Sequence, residues 1–234
     1  MWILIKLLLS PLLLLQALWV RKVTPKLPEA AGAREGHIGT GRPLRLLFSG
    51  DSAMAGVGVA QQSEALSGAV LERLSPDYEI DWTLIAKTGW TTQNLLTKLH
   101  NTPAKPVDIA ILSLGVNDVL SQHSPARFRR EQEELRTLLK EKFGARLILS
   151  SAVPEMGKFP ALPQPLRWTL GRDATRLNTA LADSTATDPA AHHLTPEIDL
   201  TPDLMASDGF HPGAKGYQLW ADAVTVQIRQ EFPR

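Results

Sequence analysis

The sequence predicts an α/β fold, in which a mostly parallel β-sheet carries helices on both faces. Short apolar runs bounded by turn residues alternate along the chain with segments whose apolar residues recur at helical spacing. Short connections join these segments, and such alternation is typical of strand–helix–strand crossovers. The 234 residues are enough for one well-buried domain.

Five strands are predicted where short runs stop at turn residues. They cover residues 44–49, 78–85, 107–114, 145–153 and 193–200. The run 107–114 is apolar nearly throughout, which is typical of a central strand that is covered on both faces.

Five helices are predicted, four of them between the strands and one after the last strand. They cover residues 64–74, 91–99, 125–143, 173–182 and 213–232. The third has clear end signals, because Ser124 can cap it, Pro125 suits its first position and Gly144 can end it. Residues 154–172 are rich in proline and aromatic residues, and we expect an irregular lid or pocket wall there.

Residues 1–20 are strongly apolar, and the stretch has three interpretations. It is a secretory signal peptide, an uncleaved membrane anchor, or a helix that lies on the membrane surface or on the folded domain. Arg21 and Lys22 stand where a signal peptide would place small residues, so we favour the anchor. These basic residues favour a cytoplasmic domain, but Lys6 opposes that orientation.

Three regions are therefore predicted. Residues 1–22 are the anchor or signal segment, residues 23–43 are a proline- and glycine-rich linker, and residues 44–234 are the folded domain. We expect a membrane-associated protein, or a secreted or periplasmic one if the first segment is cleaved.

The composition excludes several classes of function. The net charge of +1 does not favour nucleic acid as a partner. The absence of cysteine excludes disulfides, thiolate metal sites and a cysteine nucleophile. No cofactor is expected, and the composition does not fix the oligomeric state.

Special residues follow four of the predicted strands. Ser52 ends a Gly-Asp-Ser turn after the first strand, where we expect a helix to begin. Gly89 follows the second strand, Asn117 follows the third, and Asp208 and His211 follow the fifth. Because the carboxyl ends of parallel strands meet at one edge of the sheet, we expect these residues to converge there.

These residue types suit acyl transfer, which needs a nucleophile, a base, a group that orients the base, and donors for the oxyanion. Ser52 can be the nucleophile and His211 the base. Asp208 lies three residues before His211 and can hold the second ring nitrogen. The backbone N–H groups of Ser52 and Gly89 and the side-chain amide of Asn117 can be the oxyanion donors.

The chain resembles the SGNH hydrolase superfamily, the GDSL-type esterases and lipases. Four signature segments match in the order of the family: Gly50-Asp51-Ser52, Gly89, Gly115-Val116-Asn117-Asp118 and Asp208-Gly209-Phe210-His211. The resemblance covers about residues 44–232. It implies a three-layer α/β/α, flavodoxin-like fold with a five-stranded, mostly parallel sheet. It also implies the roles given above for Ser52, Asp208, His211, Gly89 and Asn117, and a small-molecule or lipid ester as substrate.

Two other functions remain open for the same residues. A metal-dependent phosphoesterase would use Asp51, Asn117, Asp208 and His211, although such sites usually have more histidines and carboxylates at ligand spacing. In a non-catalytic module that binds an acyl chain or a glycan, Ser52 would not act as a nucleophile.

The remaining histidines are not expected to take part. His192 and His193 are adjacent on a predicted strand, so their side chains point to opposite faces, and we expect them to be structural rather than metal ligands. We expect His37, His100 and His123 to be solvated.

Overall fold

The computed structural model describes residues 2–196 and 201–232, apart from the side chain of Ile3. The described strands are β1 (Glu35–Ile38), β2 (Arg42–Gly50), β3 (Tyr78–Ala86), β4 (Ile109–Ser113), β5 (Leu147–Ser151) and β6 (Ala191–Leu194). The described helices are α1 (Trp2–Val23), α2 (Leu66–Leu74), α3 (Thr92–His100), α4 (Val116–Leu120), α5 (Pro125–Phe143), α6 (Leu166–Thr185) and α7 (Ala214–Glu231), and a 3₁₀ turn covers Met156–Lys158.

The strands form one sheet in the order β1-β3-β2-β4-β5-β6. Strands β2 to β6 are parallel, and β1 alone among the described strands pairs antiparallel, with β3. Gly50 at the end of β2 pairs with Ala86 of β3 and Ser113 of β4. The carboxyl ends of these three strands therefore lie level at one edge.

Helices cover both faces of the sheet, which gives three layers. Leu46 and Phe48 of β2 pack into the cluster beneath α2 and α7, whereas Leu47 packs on the other side against α3 and α5. This alternation follows from the two-residue period of a strand. Helix α6 extends the second layer beside α5. The predicted three-layer α/β/α fold is confirmed.

The sheet has six described strands where the sequence predicted five. The additional strand, β1, lies within residues 23–43, which were predicted to be a linker. All four of its residues are exposed, so the segment has no apolar alternation by which a strand is recognised. The division into three regions otherwise stays a prediction.

Three other expectations are revised. Helix α6 begins at Leu166, so residues 166–172 of the segment predicted to be irregular are helical. Residues 51–58 form consecutive turns, so no helix begins at Ser52, and the next helix is α2. Gly56 and Gly58 have φ values of +80° and +112°, a conformation that a helix cannot contain. The last strand begins at Ala191 instead of His193, and residues 197–200 of the predicted strand lie outside the described residues.

Helix α1 lies along α6 and is held there by polar contacts. Lys6 Nζ is 2.6 Å from Asp173 Oδ2, Trp2 Nε1 donates to Asp173 Oδ1 (3.0 Å), and Leu166 N donates to Gln16 Oε1 (3.0 Å). Among the described helices, only the segment Leu4–Val23 is long and apolar enough to cross a membrane, with a mean hydropathy of 1.6. These properties are shared by a membrane anchor and a signal sequence.

Candidate active site

The turn after β2 and the loop before α7 meet at the carboxyl edge of the sheet. His211 Nε2 lies 2.7 Å from Ser52 Oγ, although 159 residues separate them in the chain. Both side chains are partly exposed, so this pair is open to a small molecule. The convergence predicted for these two residues is present in the structure.

Asp208 holds the other side of His211 and also shapes the loop. Its Oδ2 lies 2.6 Å from His211 Nδ1, and its Oδ1 accepts hydrogen bonds from the backbone N–H groups of Phe210 (2.9 Å) and His211 (3.0 Å). Burial acts to raise the pKa of Asp208, but these hydrogen bonds outweigh burial and hold the pKa below its usual range. The carboxylate is therefore ionised at neutral pH.

Two features fix the distance between the turn and the loop. A Cβ atom at position 58 would lie only 2.2 Å from the carbonyl oxygen of Pro212. Because Gly58 has no Cβ, the two backbones can approach closely here. The hydroxyl oxygen of the buried Tyr217 of α7 lies 2.9 Å from the carbonyl oxygen of Ala53 and 2.7 Å from that of Val57, and its single hydrogen is shared between them. Helix α7 thereby orients the turn that carries Ser52.

Gly89 lies in an exposed loop after β3. Its φ of +84° favours glycine, and a Cβ there would meet nothing within 4 Å, so the space above it is open. Glu29 Oε1 accepts hydrogen bonds from Thr88 N (2.7 Å) and Thr88 Oγ1 (2.8 Å). The segment predicted to be a linker thus supports this loop, which the sequence alone gave no reason to expect.

Asn117 is the second residue of α4, and its side chain points toward the same edge of the sheet. Its Nδ2 donates to the carbonyl oxygen of Trp90 (3.0 Å) and to Asp51 Oδ2 (3.3 Å). The shorter bond ties α4 to the loop that carries Gly89. The longer bond to Asp51 is the weaker one, since hydrogen bonds of this type are commonly about 2.9–3.0 Å long.

Asp51 is buried beneath the site and does not begin a helix. Its Oδ1 accepts from Ala53 N (3.1 Å), and the residue is 3 % exposed. Burial raises the pKa of Asp51 to about 7. From the sequence, Asp51 had a role only in the metal-dependent alternative, and the structure places its carboxyl group next to Asn117.

A second polar cluster lies directly behind Asn117. The carboxylate of Asp118 accepts from Thr92 N (3.1 and 3.3 Å), and Asp118 Oδ1 lies 3.1 Å from His123 Nδ1. Glu131 Oε2 lies 3.4 Å from the same nitrogen, and Arg127 Nε donates to Glu131 Oε1 (2.7 Å). Burial raises the pKa of Asp118. The prediction that His123 is solvated is wrong, because its side chain is 5 % exposed.

The donor atoms of Asp118, His123 and Glu131 lie within 4.8 Å of one another, so this set has the composition of a metal site. This cluster was not predicted from the sequence. Its position links α4, α5 and the start of α3, and it therefore supports the segments that carry Gly89 and Asn117, two of the three predicted oxyanion donors.

The other histidines are placed as the sequence suggested. His192 contacts Gln227 of α7, whereas His193 Nε2 lies 2.9 Å from Asn178 Oδ1 of α6, so the two rings occupy opposite faces of β6. His37 and His100 are more than half exposed.

Comparison with known proteins identifies the class to which this fold and site belong. Residues 48–219 match the GDSL-like lipase/acylhydrolase family, and the chain belongs to this family. It is therefore a carboxylic ester hydrolase. The resemblance drawn from the four sequence segments is confirmed, and the interpretation as a non-catalytic binding module is wrong.

A relative and several solved structures are similar over most of the chain. The GDSL-like esterase Rv1075c of Mycobacterium tuberculosis is 27% identical over 240 residues, which cover 93% of this chain and 76% of the relative. The psychrotrophic esterase EstA of Pseudoalteromonas sp., in a structure inhibited by monoethylphosphonate, has a TM-score of 0.62 at 18% identity and covers 81% of this chain and 99% of its own. The aryl esterase of M. smegmatis has a TM-score of 0.60 at 17% identity, with coverage of 80% and 99%.

Proposed function

We propose that this hydrolase is a serine esterase that forms an acyl-enzyme on Ser52. The observation that carries the proposal is the continuous path from Ser52 Oγ through the two nitrogens of His211 to Asp208, with distances of 2.7 and 2.6 Å. This path connects a hydroxyl nucleophile, a base and a carboxylate that orients the base.

In the first half-reaction, Ser52 Oγ attacks the ester carbonyl carbon while His211 Nε2 takes the hydroxyl proton. The resulting imidazolium is stabilised by Asp208 and gives its proton to the leaving alcohol. Water then attacks the acyl-enzyme, with His211 again accepting and returning a proton. The acid is released, and Ser52 regains its hydroxyl group.

Three donors are proposed for the oxyanion: the N–H groups of Ser52 and Gly89, and Asn117 Nδ2. The open space at Gly89 supports this assignment, because substrate can approach its backbone closely. The long bond from Asn117 to Asp51 supports it too, since that amide hydrogen can turn toward a developing negative charge at small cost.

We also propose that α1 remains on the chain and associates with a membrane. The exposed leucines on its outer side include Leu8 and Leu15, which are 84% and 65% exposed. Such a surface is suited to lipid rather than to water. A lipid ester is accordingly the substrate class that we favour.

Labelling of the purified full-length chain with a fluorophosphonate tests the proposal, with the adduct located by peptide mass spectrometry. We expect the adduct on Ser52, and we expect it to disappear in His211→Ala. Ser63→Ala, which removes an exposed serine, is the matched control and should be labelled like the unmodified protein. An unlabelled Ser52 in the folded protein would overturn the mechanism, and loss of ester hydrolysis in EDTA would show that the reaction needs a metal ion.

A further inference from the structure

An apolar groove of about 820 Å³ separates α1 from the rest of the domain. One wall is a face of α1 whose residues recur every three or four positions from Lys6 to Arg21, a length of about 22 Å at 1.5 Å per residue. The opposite wall consists of α6, the end of α4 and the loop before α7. Helix α1 therefore lies along α6 but leaves a groove beside part of its length, while Val20 and Leu13 pack against the domain.

The groove is lined by apolar side chains, some of them buried in the domain and others, on α1, exposed. Leu7 and Leu14 face it, and they are 63% and 61% exposed. The polar contacts of Lys6 with Asp173 and of Gln16 with Leu166 hold α1 in place on either side of these leucines. Contact between water and an apolar groove of this size is unfavourable, so an apolar ligand in the groove would be favoured.

The wall opposite α1 is continuous with the catalytic edge. Phe210, which lines the groove, directly precedes His211 in the chain, and Leu120 comes three residues after Asn117 in the same short helix. Phe210 also packs edge-on against Phe159, with ring centroids 5.6 Å apart. The segments that hold the base and the proposed oxyanion amide thus also contribute side chains to the wall of the groove.

We propose that this groove binds the acyl chain of the ester substrate, so that α1 is a wall of the substrate site as well as a membrane-associated helix. The inference rests on the proposed esterase function. Because α1 is long and apolar enough to cross a membrane, a bilayer around α1 would bring lipid acyl chains next to this groove. An unbranched chain suits the elongated shape of the groove.

The experiment compares two alkyl fluorophosphonates, one with a long chain and one with a short chain, on the full-length protein in detergent. The measured quantity is the ratio of their rate constants for labelling Ser52. Ala17→Trp places a bulky ring in the groove at an exposed position of α1. Leu15→Trp places the same ring on α1 outside the groove, at a residue that is 65% exposed.

We expect the unmodified protein to prefer the long-chain probe, and we expect Ala17→Trp to lower the ratio about tenfold, which corresponds to withdrawing about two methylene groups from burial. Leu15→Trp should leave the ratio unchanged. A general loss of folding would slow both probes alike and would not produce this pattern. The same ratio in all three proteins would overturn the proposal and would assign the groove to a structural lipid or a second copy of the chain.

Two further outcomes separate this inference from the proposed function. If neither probe labels Ser52 in the unmodified protein, the serine mechanism itself fails. The second outcome is that the short-chain probe labels Ser52, but the intact mass shows that α1 has been removed from the protein isolated from its host. In that case the serine mechanism stands, and the proposal that the groove binds the acyl chain is overturned.

Discussion

At the scale of single residues, Asp208 uses its two oxygens for two different purposes. One oxygen faces the ring of His211, and the other accepts the backbone N–H groups that shape the loop. An amide in place of the carboxylate can keep the second contact but cannot stabilise an imidazolium. The two purposes can therefore be separated by substitution.

Asp208→Asn is expected to lower kcat by about 10³–10⁴ while the loop keeps its shape, since the ring of His211 would be held in the wrong tautomer. Ester hydrolysis and thermal unfolding should be measured on the same preparation. An unchanged melting temperature with lost activity supports the role of Asp208. Equal kcat values in the two proteins would remove Asp208 from the mechanism.

Asp51 should make the stability of the domain depend on pH. Its folded-state pKa of about 7 lies above the ordinary value of 3.8, so between these values the folded protein retains a proton that the unfolded chain has lost. The stability contributed by the protonated carboxyl group is complete at low pH and is lost as the pH rises through about 7.

Asp51→Asn removes this titration, and the variant should therefore gain stability relative to the unmodified protein as the pH rises from about 4 to about 7. The slope of the difference in the free energy of unfolding should not exceed about 1.4 kcal/mol per pH unit. Urea unfolding across this pH range measures it. A difference that does not vary with pH would show that Asp51 does not titrate in this range.

At the scale of the elements, Asp118 joins the start of α3 to α4. Its carboxylate accepts from Thr92 N, and Gln132 Nε2 of α5 donates to Thr92 Oγ1 (2.9 Å). The loop that carries Gly89 ends at Thr92, and Asn117 precedes Asp118 in α4. The spacing between Gly89 and Asn117, two of the three proposed oxyanion donors, therefore depends on this junction.

Asp118→Asn should lower kcat about ten- to a hundredfold with little change in KM, because a small displacement of the donors weakens transition-state stabilisation more than substrate binding. Steady-state kinetics with a soluble ester measures both constants. Asp222→Asn removes a carboxylate whose side chain is 58% exposed and serves as the control. An equal effect on KM and kcat would indicate general loosening of the fold instead.

The elements differ in how far the sequence could predict them, and burial explains the difference. Helix α5 was predicted at its exact ends, because Ser124, Pro125 and Gly144 mark them locally. Strand β1 was missed because its residues are exposed and acquire a partner only through β3. His123 was assigned to solvent because its burial depends on Asp118 and Glu131, a contact that no local pattern reveals.

The residues of the candidate site could be found from sequence because parallel strands place their ends together regardless of loop details. Ser52, Asn117, Asp208 and His211 could therefore be grouped before any distance was known. Asp51 beneath Asn117, and Glu29 beneath the loop of Gly89, required the three-dimensional structure.

At the scale of the whole molecule, the N-terminal region has two parts with different importance for the domain. Helix α1 is attached by partly exposed polar contacts and by the packing of Val20 and Leu13 on the domain. Polar contacts of this kind are worth about 0–1 kcal/mol each. Residues 29–38, in contrast, supply Glu29 to the loop of Gly89 and cover the edge of β3 with β1.

A chain that starts at residue 24 should therefore stay folded and hydrolyse a short-chain ester, and it should no longer float with lipid vesicles. A chain that starts at residue 40 should lose activity and aggregate, since the edge of β3 and the loop of Gly89 would both be uncovered. Vesicle flotation, gel filtration and ester hydrolysis compare the two. Equal behaviour of the two truncated chains would show that residues 24–39 are dispensable.

The close approach of Gly58 to Pro212 has a consequence for the genetics of this protein. A side chain at position 58 would push apart the turn of Ser52 and the loop of His211 while leaving every reactive group intact. A screen of random variants for lost activity would thus return position 58 together with positions 52, 208 and 211. A variant at position 58 would keep all of the catalytic side chains, and its defect would be the increased distance between Ser52 and His211.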